Sequence, residues 1–255
     1  LKVFSNMKNI SLERFFLIAL PRYSMLAFIV CIGIAMKFYA GGIYHMVTET
    51  GASMCPGASC IDPYHYSVGY SFFKNFLSDL GRTLTFNGNT NFYSSFFFNN
   101  ALCIAGFLFS VFYYFLPKFF QQENFFIISI IGSIFGILSC LCFIGTGLTP
   151  ADLHLDAHIF FSNYLFYLSF PATLIYSYVI IRSRKLNTIY GIGYFAFAIS
   201  LVSYIFILEF GPDPSESNFS LIIQATSQKI ITICFVLATW MLSKGINKSI
   251  NNVIG

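Results

Sequence analysis

The chain has 255 residues, of which 56% are hydrophobic and only 9% charged, with 33 Phe and 16 Tyr. Soluble domains carry about a quarter charged residues because a folded surface has to be solvated, so this composition excludes a water-covered globule and makes lipid the main solvent. The formal charge of +4 comes from scattered Lys and Arg without a basic stripe interleaved with aromatics, which excludes a nucleic-acid surface.

A membrane-spanning helix needs roughly 20 apolar residues. Residues 11–22 read as an interfacial lead-in, with Arg14 and Arg22 flanking apolar side chains. Six spans follow, at about 23–41, 96–116, 125–144, 157–181, 189–208 and 221–242. The expected fold is all-α: one polytopic membrane domain, a bundle of six transmembrane helices. No secretory signal peptide is expected, because the first apolar run is too long and no small-residue cleavage site closes it.

Basic residues in short loops set the orientation. Arg14, Arg22, Lys118, Arg182, Arg184, Lys185, Lys244 and Lys248 all fall on one side if both termini are cytoplasmic. The other side then carries the loop 42–95, the turn around Thr149 and the acidic loop 209–216. Within the long loop, Tyr66, Tyr70, Phe73, Leu77, Leu80 and Leu84 recur by threes and fours, which predicts an amphipathic helix on the outer membrane surface or over the bundle mouth. Cys55 and Cys60 enclose Pro-Gly-Ala-Ser, a turn that suits a local disulfide on an oxidising side.

Three segments carry candidate chemistry. In 145–158, Thr149, Pro150 and Asp152 predict a helix start with an N-cap hydroxyl, a first-turn proline and a carboxylate at the third position. His154 and His158 are four apart, so they share a helix face and suit one divalent ion such as zinc, while Asp152 and Asp156 form a second pair at that spacing. The bland alternative is a capped helix with imidazoles bonded to neighbouring loops. In 78–83, Asp79 and Arg82 either pair on a helix surface or reach over the bundle to complete a site with His158. In the last span, Gln228 and Lys229 lie deep, Lys229 roughly 12 Å along the helix. A charge there has to face the bundle interior and a partner, with Glu209, Asp79 or Asp156 as candidates.

These motifs support a resemblance. Ser78-Asp79-Leu80-Gly81, the 97–100 stretch opening the second span, the 147–158 segment and Gln228-Lys229-Ile230 resemble domain-of-unknown-function family 998 over about residues 71–240. The resemblance implies a six-helix bacterial or archaeal membrane protein, hence a prokaryotic plasma membrane, and brings no established activity. A more distant similarity to ceramidase-like membrane hydrolases implies Ser78, Asp79, His154 and His158 around a zinc ion.

Three functional readings follow. The leading one is a metal-assisted hydrolase of a lipid at the extracytoplasmic face, with His154 and His158 as ligands and Asp79 or Asp156 as base. Ser78, Arg82, Asp152, Glu209, Gln228 and Lys229 serve there as binding or positioning residues. The second is a non-catalytic protein that binds a lipid or small molecule in the polar mouth. The third is an accessory subunit whose polar cluster ties helices to loops.

Overall fold

Hydrocarbon leaves backbone N–H and C=O groups only internal partners, and the apolar stretches of this chain satisfy them as helices. In the computed structural model, which describes residues 11–44 and 68–254, six helices are long and apolar enough to cross a membrane. They are α1 (Ser11–Phe38), α2 (Phe92–Phe119), α3 (Phe126–Leu148), α4 (Leu155–Arg182) and α5 (Thr188–Phe210), followed by α6 (Asn218–Ile254). Among the described residues there is no strand, only an isolated bridge between Leu84 and Thr90. The chain is an all-α, multi-pass membrane protein.

Each helix runs past one or both of its predicted bounds, α1 and α6 furthest. The lead-in over 11–22 is no separate element but runs into the first span through a π-helical turn at Phe15–Ala19. Pro21 lacks the N–H that would close the next helical bond, and the wider turn before it absorbs the gap. At the other end, α6 continues beyond residue 242 because Ile246 and Ile250 bury themselves. Its last turns pack against the π-helical turn of α1, where Leu17 and Ile18 are buried.

Consecutive helices are neighbours, in chain order, and α6 returns to α1 to close the ring. Lipid provides no hydrophobic drive between helices, so close approach and hydrogen bonds hold them. A Cβ at Gly106 of α2 would stand 2.7 Å from Ile144 Cγ1 and 2.8 Å from the Cys140 carbonyl of α3. Between α3 and α4, Tyr176 donates to the Ser129 carbonyl at 2.9 Å and the Ser139 and Ser169 hydroxyls meet at 2.6 Å.

The α1–α6 seam is the thinnest junction between neighbouring helices. At the face where both termini emerge, Arg14 donates to Asn251 at 2.5 Å and Arg22 to Ser243 at 2.7 Å. The Arg22 guanidinium also lies 5.1 Å over the Trp240 ring. The opposite face is covered by residues 68–91, which form a plug across the bundle.

The amphipathic helix expected in this loop is not formed over its described part, 68–84, and Tyr66 lies outside the described residues. The segment is a set of turns with one 3-10 helix, Ser78–Gly81. Leu77 and Leu80 are buried as the stripe requires, yet Phe73 and Leu84 are exposed. Asn75 and Asp79 bond to nearby backbone amides, and that competition breaks the helix.

A polar plug above a lateral groove

The plug is built on Asn75, which is 0% exposed. Its side-chain oxygen accepts from Ser71 N at 2.9 Å, and its amide nitrogen donates to the Gly42 carbonyl at 2.9 Å and to Asp79 Oδ2 at 3.0 Å. Asp79 Oδ2 also accepts from Phe76 N at 2.8 Å. Gly42 has φ +89°, and a Cβ there would stand 2.7 Å from Asn87 N, so only glycine brings this strand of loop beneath the plug without strain.

Side chains from the bundle then take up the plug's backbone. Asn91 and Ser94 donate to the Leu80 carbonyl at 3.2 and 3.0 Å, Asn99 to Gly81 at 3.0 Å, and Asn91 to Arg82 at 2.9 Å. Three successive carbonyls are thereby satisfied, as buried backbone must be. From the α3–α4 turn, Asp152 accepts from Thr83 N at 2.9 and 3.0 Å, from Thr83 Oγ1 at 2.5 Å and from Leu84 N at 2.9 Å. From α6, Gln228 Oε1 accepts from Leu77 N at 2.6 Å. Lys229 Nζ donates to the Asn75 carbonyl and, at 2.9 Å, to the Ala225 carbonyl.

Burial pushes the Asp79 carboxyl up to about 6, against the Asn75 hydrogen bond, the nearby Arg82 charge, the Phe76 N–H and Lys229. Burial, and then the Asp79 charge, pushes the Tyr39 and Tyr70 hydroxyls well above their ordinary value. Burial also works against the Asp152 carboxylate, but its bonds to Thr83 and Leu84 outweigh it and hold the group below the usual range.

The predicted site residues therefore separate. Asp79, Asp152, Gln228 and Lys229 converge on the plug. Ser78 starts the 3-10 helix half-buried, and its hydroxyl makes no hydrogen bond to Asp79 or His158. Arg82 donates to the Leu84 carbonyl at 3.2 Å and lies 4.1 Å over the Phe86 ring instead of bonding to Asp79. Glu209 is exposed and accepts from the Tyr167 hydroxyl, so it is not the partner of Lys229. Asp156 is exposed in the first turn of α4.

The helix start predicted at Thr149 lies further on. Thr149 Oγ1 donates back to the Gly145 carbonyl at 2.8 Å, 150–153 form a turn, and α4 begins at Leu155 after His154. Asp152 cannot cap this helix because it is occupied by Thr83 and Leu84. His154 is exposed, whereas His158 is buried and turns Nδ1 to the Thr149 carbonyl at 2.7 Å. A carbonyl only accepts, so Nδ1 carries the proton. Among the described residues no group of three His, Cys, Asp or Glu side chains comes together. Cys55 and Cys60, like His45 and His65, lie outside the described residues.

Two cavities were not foreseen. One, of about 110 Å³, lies inside the bundle and takes side chains from all six helices, among them Phe28, Phe109, Cys140, Phe166, Phe197 and Thr232. The other, of about 250 Å³, is a groove in the α1–α6 seam, lined by Ile29, Ile32 and Met36 on α1 and by Ile233, Val236 and Leu237 on α6. Phe72, Leu77 and Lys229 close it at the plug. Phe28 and Thr232 line both cavities. Of the side chains that hold the plug, Asn99 had a sequence signal, because it interrupts the apolar opening of α2. The groove had none, since groove-facing and lipid-facing side chains are alike in kind.

Compared with protein-family models, with curated proteins and with solved structures, the chain matches none. The resemblance to domain-of-unknown-function family 998 and to ceramidase-like hydrolases stands on the short motifs alone.

Proposed function

We propose that the protein is a non-catalytic lipid-binding membrane protein that takes an acyl chain from the bilayer through the α1–α6 seam into its bundle. The observation that carries this is that Phe28 and Thr232 line both the lateral groove and the interior cavity, so that these two side chains stand between them. Ligand sites are mostly apolar hollows with a few convergent polar groups, and here the apolar wall is long and the polar end is Lys229. The basic residues near the terminal face, Arg14, Arg22, Lys118 and Lys185 among them, assign that face to the cytoplasm. The plug then faces outward, in a prokaryotic plasma membrane if the family resemblance holds.

A metal-assisted hydrolase built on Ser78, Asp79, His154 and His158 draws less support. Asp79 has the raised carboxyl of an acid or base, but its Oδ2 is held by Asn75 and Phe76, and among the described residues Ser78 has no base within hydrogen-bond reach.

Native mass spectrometry of the detergent-purified protein tests the reading. Wild type and Thr232→Val are expected to retain a bound lipid, and Thr232→Phe, which fills the junction of the two cavities, to lose it. Retention by Thr232→Phe, or no lipid on any of the three, sinks the proposal. A stoichiometric divalent ion on wild type that His158→Ala loses would restore the hydrolase to first place.

A further inference from the structure

Building on the lipid-binding reading, we infer that the ligand is a long-chain fatty acid whose carboxylate is taken by Lys229 at the plug end of the groove. The groove has one charged side chain in its wall, and that side chain is a cation. An ammonium has three donors, of which two go to the carbonyls of Asn75 and Ala225. One donor remains for one acceptor oxygen, and among the described residues the wall to which it belongs is otherwise apolar but for Thr232, whose hydroxyl is turned to the Gln228 carbonyl.

The geometry also selects headgroup size. Lys229 is 3% exposed, and its Nζ lies 5.6 Å from both the Tyr70 and the Phe72 ring centres. The Phe72 ring and Leu77 cover the groove on the plug side. A phosphodiester headgroup is too bulky to reach an ammonium sheltered in this way, whereas a carboxylate needs no more room than the chain it terminates. From Lys229 the chain runs between Ile32 and Met36 on α1 and Ile233 and Val236 on α6. Its far end turns past Thr232 and Phe28 into the bundle.

Among the described residues, Asp79 acts on this ammonium and Arg82 acts on Asp79 in turn. Asp79 is bonded to Asn75 and Phe76 rather than to Lys229, and its negative charge nearby opposes an incoming anion. Removing its charge therefore strengthens binding.

Equilibrium binding of radiolabelled palmitic acid and of hexadecanol to the full-length protein in detergent tests the inference. A charge-assisted hydrogen bond that hexadecanol cannot make predicts a preference for palmitate of about tenfold or more in wild type. Lys229→Met is expected to bind the two ligands alike, Asp79→Asn to bind palmitate more tightly, and Thr232→Phe to bind neither. Equal affinities in wild type overturn the carboxylate assignment while leaving acyl binding intact, and that comparison needs no variant to fold. Failure of wild type to bind either ligand overturns the lipid-binding reading itself. Displacement of palmitate by phosphatidylglycerol at lower concentration than by unlabelled palmitate overturns the choice of fatty acid over phospholipid.

Discussion

Among the described residues Asp152 is the single side chain that ties the plug to the α3–α4 turn by hydrogen bonds, and Asp152→Ala releases it. Three donors lose their acceptor: Thr83 N, Thr83 Oγ1 and Leu84 N. A hydrogen bond to a charged group contributes about 1.5–3 kcal/mol when sheltered, but Thr83 is half-buried and Leu84 exposed, so water replaces part of each. Counting about 1 kcal/mol per donor gives about 3 kcal/mol, or roughly a hundredfold in the opening equilibrium of the plug. Amide hydrogen exchange read by mass spectrometry reports that equilibrium locally. Peptides covering 83–91 are expected to exchange roughly a hundredfold faster in Asp152→Ala and about tenfold faster in Asp152→Asn, which keeps one acceptor but no charge. Unchanged exchange over 83–91 would refute the latch. So would equal acceleration in α5, which makes no contact with Asp152 in this arrangement and reports global loosening.

The same exchange measurement carries a pH prediction. The folded Asp79 carboxyl titrates near 6, above its ordinary value of 3.8, so the folded state binds the proton more readily than the unfolded chain. Plug stability therefore rises as pH falls from 7 through 6, and Asp79→Asn abolishes that rise. Asp152 acts in the opposite sense, its contribution being lost only as pH falls below the usual carboxylate range. Protection over 71–82 relative to the intrinsic exchange rate at each pH that falls between pH 7 and 5 contradicts the Asp79 assignment. Gly106→Leu is expected to part α2 from α3, because its Cβ would meet the Cys140 backbone oxygen at 2.8 Å and that atom cannot turn aside. Overpacking of this kind costs about 1–3 kcal/mol, and a melting temperature in detergent equal to wild type would show that the contact yields.

The spans were legible in the sequence because hydrocarbon imposes one requirement on every backbone group, and hydropathy reports it. The depth of Lys229 was legible for the same reason. Local chemistry misled where distant partners intervened. Asp152 has the position of a helix-capping carboxylate, but its partners are Thr83 and Leu84, 69 and 68 residues away. The stripe through Tyr70, Leu77 and Leu80 has helical spacing, but Asn75 and Asp79 inside it offer the backbone other bonds. Glu209 ends the helix before that of Lys229 and was a candidate partner for it, yet Tyr167 holds it. The groove depends on which faces α1 and α6 turn to each other across more than 200 residues of chain, and no local pattern encodes that.

The seam between α1 and α6 also bears on how the molecule is made. Helices α1 to α5 can each find a neighbour as soon as the next is synthesised, since adjacent helices in the bundle are consecutive in the chain. The seam bonds join residues 237 and 221 apart, and those of Gln228 and Lys229 to the plug span 151 and 154. Contacts of such separation form last. Until α6 is inserted, the ring has a gap where the groove will be, and the plug lacks its two α6 anchors. The ribosome therefore completes the groove and the anchoring of its cover in a single final step, and a chain stopped before α6 has no groove and a plug held only from α2 and the α3–α4 turn.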